Sequence, residues 1–364
     1  MQIDTWIKKE QESLIALRRW FHMHPEPSMK EYETAAKIEE ELTRIGVAHR
    51  RIRETGVFAS ISGEKGSGKV LVLRADMDAL SMEDLLDKSY RSVNFGYAHA
   101  CGHDAHTAVL LHAVKLLQER RHEFAGEIRF FFQPGEEIGK GAKPFVAAGV
   151  LEGAERVFGL HTAYDLEAGT VGLKPGINNA AVDHFRIRVH GKSTHVSTPH
   201  MGVDALYIAS QIVVAVQGLV TRRTSPTEPV IIGIGKLNAG TTYNAVAAFA
   251  EMEGTTRTIS QESRDRVRAQ VSETAQSIAA LYGGTAEIEW TDFAAALVND
   301  PQVCEEAAQV VDELLGEGHV VTDRELSLSG DNFAEFELYK PGAYAYLGTG
   351  NQDFPHTMIT NHNG

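Results

Sequence analysis

The feature that most limits how this chain can fold is a change of rhythm near its middle. From about Ala181 to Thr291 the segments read strand, helix, strand, strand, helix, strand. Phe185, Ile187 and Val189 alternate as in a half-buried strand. Ala205 to Leu219 has helical spacing, Val230 to Gly235 and Ala245 to Met252 read as strands, Ser260 to Tyr282 as a long helix, and Ala286 to Trp290 as a last strand.

The flanks follow another order. Leu14, Leu17, Trp20 and Phe21 recur at helical spacing, as do Ala35, Ile38, Leu42 and Ile45, with His24, Pro25 and Pro27 breaking the pattern between them. Val70 to Arg74, Ile128 to Gln133 and Val157 to His161 are strand candidates, with Thr107 to Leu117 a helix among them; Val303 to Leu315 and Ala343 to Leu347 resume the alternation. Strands alternating with helices predict an α/β architecture with a mostly parallel sheet flanked by helices. The middle stretch has the order of a ferredoxin-like α+β unit. At 364 residues the chain exceeds what one core usually supports. We therefore expect residues 1–180 and 292–364 to form one domain and 181–291 a second, inserted into it.

The net charge of -14 argues against nucleic acid as the main partner, since phosphate binding needs clustered Lys and Arg. No run approaches the roughly 20 apolar residues of a membrane span. Met1 to Glu10 carries early charges and lacks an apolar signal core, which predicts a cytoplasmic protein. The two cysteines, Cys101 and Cys304, exclude a disulfide framework.

Candidate metal-binding side chains fall at strand ends or in the loops after them, where ligands gather in open α/β sheets. Cys101 and His103 flank Gly102 and can reach one cation if the loop is extended; the same pattern fits a buried thiol beside surface histidines. Glu136 and Glu137 follow the strand that ends at Gln133. Adjacent carboxylates there can divide metal binding from proton transfer, or form a solvated acidic turn. His161 closes an apolar strand, and Asp76 and Asp78 follow Val70 to Leu73. No HExxH, G-x-S-x-G or P-loop motif occurs, which removes the helical zincin, serine hydrolase and P-loop readings.

Taken in order, Phe21-His22-Met23-His24-Pro25-Glu26, Leu73-Arg74-Ala75-Asp76-Met77-Asp78-Ala79-Leu80, His99-Ala100-Cys101-Gly102-His103-Asp104, Gln133-Pro134-Gly135-Glu136-Glu137 and Gly159-Leu160-His161 resemble the aminoacylase and carboxypeptidase-type dinuclear metallopeptidases. The nearest branch holds hippurate hydrolase and the N-acyl-amino-acid and indole-acetyl-amino-acid hydrolases. The resemblance implies two divalent ions (Mn, Zn, Ni or Co) and a small N-acyl amino acid as substrate. It implies Cys101 as a ligand shared by both metals, His103 and Glu137 completing one, and His161 and His362 the other, with His356 the alternative to His362. Glu136 would be the general base toward the water between the metals, and Asp78 would orient a ligand. The inserted domain would serve as lid and dimerisation domain, with His195 stabilising the oxyanion, Asn244 and Arg257 binding substrate, and the protein a homodimer. Relatives continue past the equivalent of His362 into a short strand and closing helix. Ser193, Thr194, Ala245-Val246-Ala247 and Asp331-Asn332 depart from the family's pattern, mostly near the lid and pocket.

Overall fold

A computed structural model describes residues 3–85 and 87–350. The chain divides into two compact units, one of residues 1–178, 298–325 and 331 onward, the other of residues 179–297 and 326–330.

The first unit is built on a mixed eight-stranded sheet. Its strands are β1 (His49–Ile52), β2 (Gly56–Ser62), β3 (Val70–Asp76), β4 (Glu127–Gln133), β5 (Arg156–Glu167), β6 (Val171–Gly172), β13 (Val320–Val321) and β14 (Gly342–Gly350), in the spatial order β1-β2-β4-β3-β5-β14-β6-β13. The central strands β4, β3, β5 and β14 run parallel, and antiparallel pairs lie toward the edges. Helices α1 (Ile3–Met23), α2 (Tyr32–Ile45) and α3 (His103–Glu119) bring Phe21, Ile38, Leu42, Leu111 and Val114 into one core with Val57, Ile61, Phe130 and Phe132 of the sheet. A second cluster joins Val303 and Cys304 of α7 (Pro301–Leu315) to Leu173, Ala343 and Ala345. Cys304 is thus a core side chain. Asp300 starts α7 by accepting from the Gln302 and Val303 amides at 2.9 and 3.1 Å, with Pro301 in the first turn, where its missing N–H costs nothing. Short helices α4 (Ala142–Ala147) and α8 (Ala334–Glu337) complete this unit.

The second unit runs β8 (Ala181–His190), α5 (Ala205–Arg222), β9 (Ile231–Ala239), β10 (Phe249–Thr258), α6 (Gln261–Leu281) and β11 (Thr285–Ala294). Its sheet is antiparallel in the order β11-β8-β10-β9, the fourth, first, third and second strands of the unit. Phe185, Ile187, Val189, Ala250 and Met252 face Ile208, Ile212, Val216, Val267 and Val271 of the helices. Asp204 caps α5 and Ser260 caps α6. Short strands β7 (Gly176–Asn179) and β12 (Leu297–Asn299) lie where the chain passes between units.

Three expectations need correction. The strand expected at Ala245 to Met252 begins at Phe249 and runs to Thr258. Ala245 and Val246 instead pair with the segment around His195, and the buried Val246 and Ala247 owe their apolar character to that packing. His161 does not close its strand, because β5 continues to Glu167 alongside β14. Finally, α5 is long and apolar enough to cross a membrane by length and composition, against the expectation that no segment is; its Ile208, Ala209, Ile212 and Val216 are buried in the core of the second unit.

Candidate metal centre

In the first unit, Asp76 ends β3, Glu136 and Glu137 follow β4, Cys101 and His103 stand where the loop enters α3, and His161 projects midway along β5. The loop entering α3 depends on Gly102, whose φ of +87° is left-handed. A Cβ there would lie 2.4 Å from Thr162 Oγ1, so any side chain would push the Cys101–His103 turn away from β5.

Cys101 Sγ lies 3.3 Å from His161 Nε2. The ring of His161 is fixed from its other side, where Nδ1 donates to the Thr162 carbonyl at 2.7 Å. His103 is held in the same way: its Nδ1 donates to the Asp78 carbonyl at 2.9 Å and is 3.3 Å from Asp78 Oδ1. A carbonyl can only accept, so both rings carry a proton on Nδ1 and turn Nε2 to the shared space. His103 Nε2 and Glu137 Oε1 are buried without a hydrogen-bond partner among the described residues and lie 3.8 Å apart. Two sets of donor atoms lie within 4.8 Å of one another: Cys101, His103 and His161, and His103, Glu136 and Glu137. His103 belongs to both.

The electrostatics match this geometry. Burial pushes the Cys101 thiol up to about 12 and His161 down to about 3, so both are neutral without a cation. Burial alone would lower His103, but Asp76, Asp78 and Cys101 around it raise it well above the ordinary histidine range. Positive charge is favoured where its Nε2 points. Burial, then the charges of Asp331 and Glu137, raise the Glu136 carboxyl well above its usual value. Two orphaned buried donors beside a thiol and a second imidazole are a set that fits Zn, Co, Ni or Mn.

Asp78 joins the two loops. Its Oδ2 accepts from Ser28 Oγ at 2.7 Å and from the Glu137 amide at 3.0 Å, while its carbonyl holds His103. Behind Glu136 lies a buried polar network. Arg74 donates to Asp76 Oδ2 at 2.6 Å, to Gln133 Oε1 at 2.9 Å and to Asn332 Oδ1 at 3.0 Å. The Asn332 amide reaches Glu136 Oε1 at 3.2 Å, and Tyr344 donates to Asp331 Oδ2 at 2.5 Å. The Asp331-Asn332 departure therefore bears on the Glu136 carboxyl.

His195, Asn244 and Arg257 lie in the second unit. His195 is exposed, and its Nδ1 is 2.7 Å from Ser197 Oγ. The Val196 amide donates to the Asn244 carbonyl at 3.1 Å, which sets the His195 and Asn244 segments side by side. Arg257, half-buried near the end of β10, is tied to the Leu328 carbonyl at 2.9 Å and to Thr255 Oγ1. His362 and its alternative His356 lie outside the described residues. Sequence reasoning missed His106 and Glu31, both buried beside this centre. For His106 a signal existed: it follows His103 by three residues and so shares a face of α3.

Residues 72–363 match the family model described as Peptidase family M20/M25/M40. An N-acetyl-L-cysteine deacetylase of Bacillus subtilis is 39% identical over 96% of this chain and 84% of its own length. A thermostable carboxypeptidase of Saccharolobus solfataricus is 37% identical over 96% of this chain and 88% of its own. The crystal structure of the Bacillus subtilis YxeP protein, described as a dinuclear metal-binding peptidase of the M20 family, superposes with a TM-score of 0.81 at 35% identity, covering 96% of this chain and 92% of that one. Motifs, fold and relatives agree: this chain belongs to peptidase family M20/M25/M40, a family of hydrolytic enzymes.

Proposed function

We propose that the protein hydrolyses the amide bond of small N-acyl amino acids, with acetyl, benzoyl or other aryl acyl groups, at a site holding two divalent metal ions. The observation that carries this reading is the pair of buried donors without partners among the described residues, His103 Nε2 and Glu137 Oε1, set beside Cys101, His161 and Glu136. Cys101, His103, Glu137 and His161, with His362 from the C-terminal segment, would hold the metals. When bound, two such ions polarise a carbonyl and acidify water.

The chain's own residues supply the rest. Glu136, buried against Asp331 and Glu137, has a raised proton affinity, as a carboxylate that must accept a proton from water needs. It takes the proton of the attacking water and returns it to the leaving nitrogen as the C–N bond breaks, giving a free acid and an amine. Asp78 holds the His103 ring and the Glu137 backbone in register. His195 would stabilise the oxyanion, and Asn244 and Arg257 would bind the substrate carboxylate. A cytoplasmic homodimer completes the reading.

A second reading is carboxypeptidase activity, favoured by the 37% identity to the thermostable carboxypeptidase. A panel of N-acetyl and N-benzoyl amino acids, N-blocked peptides and dipeptides, scored by release of free amine, separates the two. Cleavage of acylated amino acids with little peptide cleavage supports the first; preferential release of C-terminal residues from peptides replaces it with the second.

A further inference from the structure

Asp76, His103 and His106 form a third group whose donor atoms lie within 4.8 Å of one another, all buried. As a cation site it fails, because its atoms are already engaged. Asp76 Oδ2 accepts from Arg74 Nη1 at 2.6 Å, and its Oδ1 is 2.6 Å from His106 Nδ1. His106 Nε2 accepts from the Thr162 amide at 2.9 Å. A backbone N–H can only donate, so this nitrogen carries no proton and Nδ1 carries the one given to Asp76. Of the three, only His103 Nε2 is without a partner among the described residues.

The engaged atoms form a continuous chain. The Arg74 guanidinium, wholly buried, anchors Asp76; Asp76 orients His106; His106 receives the Thr162 amide; and the Thr162 carbonyl receives His161 Nδ1–H at 2.7 Å. The His106 and His161 rings also pack with centroids 4.7 Å apart. On this side the angle at which His161 Nε2 meets Cys101 Sγ is set by His106 and by the Thr162 backbone it grips, while the His103 and Tyr344 rings lie 5.9 and 6.5 Å from the His161 ring.

We propose that His106, held by Asp76 and Arg74, is a positioning residue for the His161 ring and thereby for the cation that His161 and Cys101 would share, and is not itself a ligand. The proposal rests on the metal reading above. It assigns a function to a buried Asp–His pair that the hydrolytic chemistry leaves unused.

Cobalt(II) titration of the full-length chain, read by the near-ultraviolet thiolate-to-cobalt charge-transfer band and by metal content after dialysis, tests it. His106→Leu is expected to weaken cobalt binding by about 10–100-fold and to shift the band, as loss of a ligand's supporting partner does. His106→Gln, whose carbonyl can take the Thr162 amide, is expected to restore most of both. If His106→Leu does not fold, His106→Asn, which keeps a donor toward Asp76 but is too short to present an acceptor to the Thr162 amide, takes its place with the same expectation. Thr107→Val removes a hydrogen bond to the Asp76 carbonyl on the same helix and is expected to leave the band in place. The proposal is overturned by a folded His106→Leu or His106→Asn with native affinity and spectrum. It is equally overturned if His106→Gln loses cobalt as completely as His161→Ala, which would make His106 a ligand, or if Thr107→Val reproduces the loss. Absence of the band in the native protein would instead refute the metal reading on which the proposal stands.

Discussion

Cys101 Sγ stands 3.3 Å from His161 Nε2, although the two residues come from different elements, the turn before α3 and the middle of β5. Burial pushes the thiol up to about 12 and the imidazole down to about 3, so no ion pair joins them. Two neutral soft donors facing each other are the arrangement a transition metal would bridge. Cys101→Ala is expected to weaken metal binding by at least about 100-fold while the far-ultraviolet circular dichroism stays native. Metal content after dialysis checks it.

Glu136 and Glu137 are adjacent yet have different surroundings. Glu136 receives the Asn332 amide and sits against Asp331, whereas Glu137 Oε1 has no partner among the described residues and lies near His103. Glu136→Gln is expected to lower kcat by about 10²–10⁴-fold, the usual contribution of proton transfer, with metal content unchanged. Glu137→Gln is expected to lower metal content itself. Parallel kinetics and metal analysis of the two variants separate the roles.

Glu31 is buried, and its Oε1 accepts from the Met29 and Gly135 amides, both at 2.8 Å, so it pins the turn that carries Glu136. Burial and then the nearby Asp78 charge raise its carboxyl from 4.5 to about 7. The folded state therefore binds this proton more tightly than the unfolded chain. The stabilisation is complete below the unfolded value and is lost as pH rises through the folded one, on the order of 2–3 kcal/mol. Urea unfolding at about pH 5 and about pH 8 should show a smaller fall in stability for Glu31→Gln than for the native protein. An identical fall in both would sink the assignment.

In the second unit, Asp183 is buried between two arginines, with Arg264 Nη2 at 2.6 Å and Arg268 Nη2 at 2.5 Å. Removing the carboxylate takes from the buried Arg264 its two-oxygen partner and leaves it the half-exposed Asp292 carboxylate at 3.7 Å. Asp183→Ala is expected to cost about 3–5 kcal/mol, seen as a lowered Tm in calorimetry, while cobalt binding by residues of the first unit keeps its native affinity.

Much of this was legible in the chain. The change of rhythm at Ala181, the strand before Gln133 and the helix from Ser260 rest on periodicities that tertiary packing did not override. Cys101, His103, Glu136, Glu137 and His161 stood out because side chains able to bind metal fall together at strand ends or in the loops after them. What escaped reading depends on partners distant in sequence. His106 is an ordinary helix residue until Asp76 and Thr162 close around it, and Glu31 is a surface-type side chain until the Gly135 turn folds over it. The strand β2 was missed although Val57, Ala59 and Ile61 alternate as a half-buried strand should. The slip at Ala245 has the opposite cause. Val246 and Ala247 are apolar because they pack, and an apolar run does not by itself announce a ladder.

The central claim is tested most directly by stripping the full-length protein with a chelator and returning Mn or Zn in sub-stoichiometric steps. Hydrolysis of an N-acyl amino acid is followed against metal bound per chain. No turnover is expected in the stripped protein, and recovery should be complete near two ions per chain, with Glu136→Gln binding the same two ions and remaining inactive. Turnover that survives metal removal, or that returns undiminished in Glu136→Gln, would contradict it.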